Sequence, residues 1–164
     1  FLKKIKLLYV GRINPEKGIH NFIKMFNKIN IDIELSIVAE PKNLKIENKN
    51  IKLLGYISNP KSLINIYDDH NIVVLPSFTE GQPYILDECL SRERPIVIFE
   101  DIAYVVKDRK GVFISKRDPD SFVQTLKYIM QNYQEIQKDI KKNKFFTKKE
   151  MLNQISKIIS SKDF

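Results

Sequence analysis

The sequence predicts an α/β fold, a parallel sheet wrapped by helices on both faces. Three observations point there. Strand-like and helix-like segments alternate along the chain. The strand-like segments are short and apolar on both faces, as strands covered by helices on either side must be. Turn formers and helix-start signals separate them, with no repeat or low-complexity tract between.

The elements follow in order. "IKLLYV" (5–10) is an apolar run with polar flanks and predicts the first strand. "GRINPEKG" (11–18) is rich in turn residues. Ile19, Phe22, Ile23 and Phe26 fall at helical spacing and predict a helix over 19–29. "IELSIVA" (33–39) predicts a second strand, and "NIKLLGYI" (50–57) a third that can turn at Gly55. In "NPKSLINIY" (59–67), Asn59 suits a helix cap and Pro60 the first helical position. "NIVVLP" (71–76) predicts the fourth strand, and "PYILDECLS" (83–91) a helix with Pro83 near its start. "RPIVIFE" (94–100) and "GVFIS" (111–115) predict strands five and six. "DPDSFVQTLKYIMQNY" (118–133) predicts a helix capped by Asp118, opened by Pro119 and buried through Phe122, Leu126 and Ile129. "TKKE" (147–150) matches a capping box and predicts a last helix from Lys148 to Ile159.

The 164 residues suit one domain with one core, and a hydrophobic fraction of 43% is too high for a disordered chain. No apolar run reaches the roughly 18 residues of a membrane span. The opening "FLKKIKLLYV" is interrupted by lysines and does not read as a signal peptide. It also lacks an initiator Met, so a piece of a longer chain is expected. A single cysteine, Cys89, excludes an internal disulfide and a cysteine-based metal site, and fits a cytoplasmic setting. The net charge of +8 favours anionic partners: nucleotides, nucleic acid or an anionic membrane surface. The competing explanation is that lysines such as those in "KKIK" and "DIKKNKFFTKK" only solvate helix faces and loops.

In a parallel sheet of this kind ligands sit beyond the carboxyl ends of the strands, which singles out the loops at 11–18, 39–45, 55–59, 76–83 and 100–104. Arg12 and Lys17 flank the first strand–helix junction. A guanidinium grips phosphate with a planar fork, and an ammonium adds a mobile point charge. Surface loops also hold both residue types without function.

The loop at 76–83 is more specific. Glu80 stands at the carboxyl end of strand four, and Gly81 allows close backbone approach. After Pro83 the free amides of Tyr84, Ile85 and Leu86 open a helix, a setting that favours anions. Glu88 lies inside that helix, where a carboxylate can accept two hydrogen bonds from a diol such as ribose. Structural alternatives exist for both. Glu80 can simply complement a helix dipole, and Glu88 can pair with Arg92 four residues on. "DPD" (118–120) has metal-binding spacing, but a helix cap explains it better. His20 and His70 read as surface or structural residues, and Cys89 as packing.

The ordered set "VGRINPEKG", "NIKLLGYI", "IVVLPSFTEGQPYILDE", "RPIVIF" and "KGVFI" resembles the C-terminal, donor-binding domain of the GT-B glycosyltransferases of family 4, the group 1 glycosyl transferases. The resemblance covers roughly residues 5 to 130. Glu80 and Glu88 match the family's E-x7-E signature, and Arg12 and Lys17 its basic pair for the donor diphosphate. It implies that Glu80 faces the transferred sugar, that Glu88 holds the ribose hydroxyls, and that Tyr56 and Ile57 lie along the nucleobase. Departures occur at "AEPKN" after strand two, at "EGQP" in place of "EGFG", at Asp87, and at Ser91, Arg92, Glu93 and Arg94 before strand five.

The resemblance implies a Rossmann-like domain spanning 1–164, half of a two-domain retaining glycosyltransferase whose acceptor domain precedes it. Its catalytic set is Glu80, Arg12 and Lys17. Its substrate-binding set is Gly11, Tyr56, Ile57, Gly81, Gln82, Pro83, Tyr84, Ile85 and Glu88. No metal and no cofactor is expected. The expected partners are a nucleotide-diphosphate sugar and a glycan or lipid-linked acceptor, without nucleic acid. The expected location is cytoplasmic or peripheral at the inner face of a membrane. By itself the fragment is expected to bind donor without turning it over. A GT-B-like nucleotide-sugar epimerase, or a non-catalytic basic module for RNA or an anionic membrane surface, are the alternatives.

Overall fold

Six strands hydrogen-bond into one sheet: β1 (Ile5–Val10), β2 (Ile33–Val38), β3 (Ile51–Leu53), β4 (Ile72–Leu75), β5 (Ile96–Phe99) and β6 (Val112–Ser115). Their order is β3-β2-β1-β4-β5-β6, and every pairing is parallel. The structure is a computed structural model and describes residues 4–40, 44–145, 150 and 153. All four residues of β4 and of β5 are buried, which is why those strands read as continuous apolar runs.

The helices are α1 (Ile19–Phe26), α2 (Pro60–Asp68), α3 (Tyr84–Ser91), α4 (Pro119–Gln131) and α5 (Tyr133–Ile140). Right-handed crossovers put α1 and α3 on opposite faces, because the chain moves outward in opposite directions from β1 and from β4. The contacts agree. Phe22 of α1 meets Phe122 of α4 edge-on at 5.3 Å between ring centroids, with Phe99 of β5 beneath both. On the other face Tyr67 of α2 bonds Glu88 of α3, and α3 and α5 close over Gly111. A Cβ on Gly111 would lie 2.3 Å from Ile140 Cγ1, and its φ of +89° also favours glycine.

The caps expected at Asn59 and Asp118 are present, and the one expected at Thr147 lies outside the described residues. Asn59 accepts from the amides of Lys61 and Ser62 to start α2. Asp118 accepts from Ser121 N at 2.8 Å to start α4, so the first acid of "DPD" is engaged as a helix cap. Ile19, Phe22, Ile23 and Phe26 are buried on α1, and Phe122, Leu126 and Ile129 on α4. β3 is shorter than expected: Leu54 N still bonds Ile37 O, then the chain turns away at Gly55 with φ +77°. α5 was not anticipated, because its apolar face holds only Ile136 and Ile140. Two 3-10 turns, Pro15–Lys17 and Glu100–Val105, were not anticipated either. The helix expected over 148–159 falls outside the described residues except for Glu150 and Asn153, which are helical. Among the described residues no helix is long and apolar enough to cross a membrane.

The unusual charges before β5 are structural. Arg92 forks onto the Asp68 carboxylate, and Arg94 donates to the carbonyls of Tyr67 and Asp68 at 3.1 and 2.9 Å. Arg94 thereby satisfies carbonyls in the last turn of α2, and Arg92 holds the side chain that ends it. Asp87 takes both arms of Arg109, at 2.8 and 3.2 Å, tying α3 to the segment before β6.

Candidate functional site

Strand order reverses between β1 and β4, which opens a crevice at their carboxyl ends. The loops leaving those two strands touch. Gly18 adopts φ +66°, and a Cβ there would lie 2.1 Å from Pro76 O. Phe78 N donates to Glu16 O at 2.9 Å. The side chains then join: Lys17 Nζ and Ser77 Oγ each lie 2.6 Å from Glu80 Oε1. The Glu80 side chain is only 7% exposed and that of Lys17 20%. A carboxylate that deep requires a cation and a hydrogen bond, and it has both.

Arg12 is built differently. Its backbone is pinned by the Tyr9 hydroxyl, which donates to Arg12 O at 2.6 Å. Burial pushes the Tyr9 phenol up, and the Glu80 charge pushes it further, so it stays a neutral donor. Gly11 leaves room beside it, since a Cβ there would come 2.9 Å from the Tyr9 hydroxyl and push it aside. The Arg12 side chain is 78% exposed, with its nearest carboxylate, Glu16, at 3.8 Å. It is a guanidinium on a fixed base with a largely exposed head.

Next to this junction lies a cleft of about 670 Å³, lined among others by Gly11, Arg12, Tyr56, Ile57 and Glu88. That volume is of ligand size. Tyr56 is 70% exposed, and its ring borders the opening. Glu88 does not pair with Arg92, which is taken by Asp68. Its Oε2 accepts instead from the buried Tyr67 hydroxyl at 2.8 Å. Burial first, and then the Glu88 charge, pushes the Tyr67 phenol up and keeps it a donor.

The structure thus brings Glu80 and Lys17 together, and gathers Gly11, Arg12, Tyr56, Ile57 and Glu88 around one cleft. The segment 81–85 does not line that cleft. Gly81, Gln82 and Tyr84 are exposed, and the Ile85 side chain belongs to the core. The amide of Leu86, expected to be free, donates to Pro83 O at 3.2 Å, because the backbone tightens into a turn at the helix start. Sequence reasoning missed Glu40, which lines the cleft from the end of β2, and Tyr67, which holds Glu88. It also missed Tyr104 and Arg117, which hold the Glu80 loop. His70 is buried, with ring Nδ1 2.6 Å from Ile66 O, and is structural.

This strand order, with its site at the β1/β4 reversal, is the architecture of a GT-B glycosyltransferase domain of Rossmann-like fold. The sucrose-phosphate synthase of Thermosynechococcus elongatus superposes on it with a TM-score of 0.75, covering 97% of this chain and 45% of that one at 14% identity. The C-terminal domain of LpcC, a glycosyl transferase group 1 family protein of Francisella tularensis, superposes with a TM-score of 0.61, covering 85% and 82% at 19% identity. The chain belongs to the glycosyl transferases group 1, whose family model matches residues 4–132. In sequence it is 29% identical over 126 residues to the capsular polysaccharide biosynthesis glycosyltransferase CapM of Staphylococcus aureus. That match takes in 67% of this chain and 32% of CapM, so the chain spans about a third of that relative's length.

Proposed function

We propose that this domain binds the nucleotide-diphosphate sugar of a retaining, hexosyltransferase-type enzyme that moves the sugar to a glycan or lipid-linked acceptor. The observation that supports it most is the joining of Lys17 and Glu80 beside a cleft that also holds Arg12 and Glu88. Two cations and two carboxylates match the two ends of such a donor. As the sugar–diphosphate bond breaks, negative charge grows on the leaving group, and Arg12 and Lys17 lie where they can meet it. The first turn of α3 adds the amides of Tyr84 and Ile85 to that field. Glu80 takes both of its contacts on Oε1, which leaves Oε2 for a sugar hydroxyl. Glu88 is anchored through Oε2 by Tyr67, which leaves Oε1 for the ribose. Tyr56 and Ile57 would flank the base. The acceptor would be held by a preceding domain, so the fragment alone binds donor and does not transfer.

Calorimetry with UDP, GDP and their nucleosides tests this. Arg12→Ala and Lys17→Ala should each weaken the diphosphate far more than the nucleoside, by roughly 1.5–3 kcal/mol for a lost charge-assisted contact. Equal losses for nucleoside and diphosphate would remove both residues from a phosphate site. Binding of RNA or anionic vesicles without any nucleotide affinity would support the basic-module alternative.

A further inference from the structure

We infer that Tyr104, Asp101 and Arg117 form a clamp that positions Glu80 for the sugar end of the donor. The inference rests on the nucleotide-sugar reading above and adds a second layer of residues to it. The Tyr104 hydroxyl holds both backbone groups of Glu80: it donates to Glu80 O at 2.6 Å and accepts from Glu80 N at 3.0 Å. Three residues earlier, Arg117 Nη2 donates to Ser77 O at 2.8 Å. Its Nε donates to Asp101 Oδ2 at 2.8 Å, and its guanidinium lies 4.0 Å from the centroid of the Phe78 ring and 4.5 Å from that of Phe99. Such a guanidinium is fixed in position and in plane.

The clamp therefore seizes the segment 77–80 at both ends. Asp101 and Tyr104 lie on either side of a kink at Ile102 in the segment Glu100–Val105, and Arg117 lies just after β6, so the grip comes from the β5–β6 side of the sheet. None of the three lines the nucleotide cleft. The short segment they hold carries Ser77, which donates to Glu80, and Glu80, which also accepts from Lys17. An unsupported loop between a proline and a helix start has many conformers. Four hydrogen bonds to its backbone and to Arg117 reduce these to the one in which the Glu80 carboxylate meets Lys17. The structure thus separates a nucleotide end, built on β1, β3 and α3, from a sugar end whose geometry is set by β5 and β6.

The test is a double-mutant cycle on donor binding. Dissociation constants are measured for UDP, GDP and a panel of their sugars, and the readout is the ratio of the nucleotide-sugar constant to that of the matching diphosphate. Tyr104→Phe removes two hydrogen bonds and keeps the ring, so folding should survive; Arg117→Lys keeps the charge and loses the fork. Each should raise the ratio by about fivefold while the diphosphate constant stays within about twofold. Because the clamp acts through Glu80, Tyr104→Phe should add nothing to Glu80→Gln, an extreme of non-additivity. A purely structural role predicts that diphosphate and sugar binding fall together, and that result would overturn the clamp. An unchanged ratio, or additive effects in the double variant, would overturn it as well. A wild-type chain that binds no nucleotide defeats the donor reading itself, an outcome recognisable before any variant is made.

Discussion

Glu80 and Glu88 are separated by seven residues and live in opposite surroundings. Glu80 lies within the loop between β4 and α3, has an almost fully buried side chain, and meets a cation and a hydroxyl on one oxygen. Glu88 stands one and a half turns into α3, borders an open cleft, and meets a neutral phenol. The helix start between them causes the difference. It turns the chain so that the first carboxylate faces the β1 loop and the second faces the α2 side. A signature that looks like one repeated residue type therefore holds two electrostatically distinct sites. The buried carboxylate needs its cation, whereas the exposed one needs only orientation.

The largest expected effect breaks the joint on which the Glu80 site depends. Gly18→Ala places a Cβ against Pro76 O, at 2.1 Å without movement, on a backbone with φ +66°. Left-handed strain and overpacking add, so a loss of about 3 kcal/mol is expected in urea unfolding. Gly81 is the control: a Cβ there meets nothing within 4 Å, and Gly81→Ala should stay within about 0.5 kcal/mol. If the two substitutions prove equally mild, the loops are not locked together at Gly18.

The next effect sharpens the division between the glutamates. Glu88→Gln should weaken nucleoside diphosphate and nucleotide-sugar alike, by about tenfold to a hundredfold, as expected for a lost hydrogen bond to a charged group. Glu80→Gln should leave diphosphate affinity undiminished, because it releases Lys17 from its carboxylate partner, and should harm only sugar-dependent binding or transfer. Identical behaviour of both variants toward UDP or GDP would sink this division.

The same contrast explains what was legible in the sequence. Local signals carried well. Apolar runs gave the six strands, helical spacing gave the buried faces of α1 and α4, and Asn59 and Asp118 cap where capping chemistry requires. Glu80, Glu88 and the basic pair were singled out by their place in the loops and helix after strands one and four together with the ordered motifs that resemble a family; singly, each had a structural alternative. Partners far along the chain were not visible. Asp68 with Arg92, Asp87 with Arg109, and Arg117 with Ser77 are separated by more than 20 residues, and nothing in either neighbourhood announces the other. The Glu88–Arg92 pairing that helical spacing offered as an alternative loses to this long-range competition, since Asp68 offers Arg92 a two-pronged contact. Nothing in the sequence marks Tyr67 or Tyr104, whose hydroxyls the fold places on the two glutamates.

The smallest effect concerns the corner where α2 hands the chain to β4. His70 is buried there against Ile66 O, and burial holds its pKa below the usual 6.5. A lowered histidine pKa means the unfolded chain binds the proton more readily than the folded one. Stability is therefore fully present above about 6.5, the unfolded value, and is lost as pH falls from there through the folded pKa. The lowered carboxylates Glu34, Asp68 and Asp139 act in a separate and more acid window, since their unfolded values lie near 4. Urea midpoints compared at about pH 7.5 and pH 5.5 should fall in the wild type and fall less in His70→Gln, which has no proton to gain in this range. Hydrogen-exchange protection, taken relative to the intrinsic rate at each pH, should drop around 66–71 over the same interval and hold around 76–80, the segment of the Lys17–Glu80 joint. Parallel midpoints for the two proteins would show that His70 titrates alike folded and unfolded, and that this corner is no softer to acid than the loops above it.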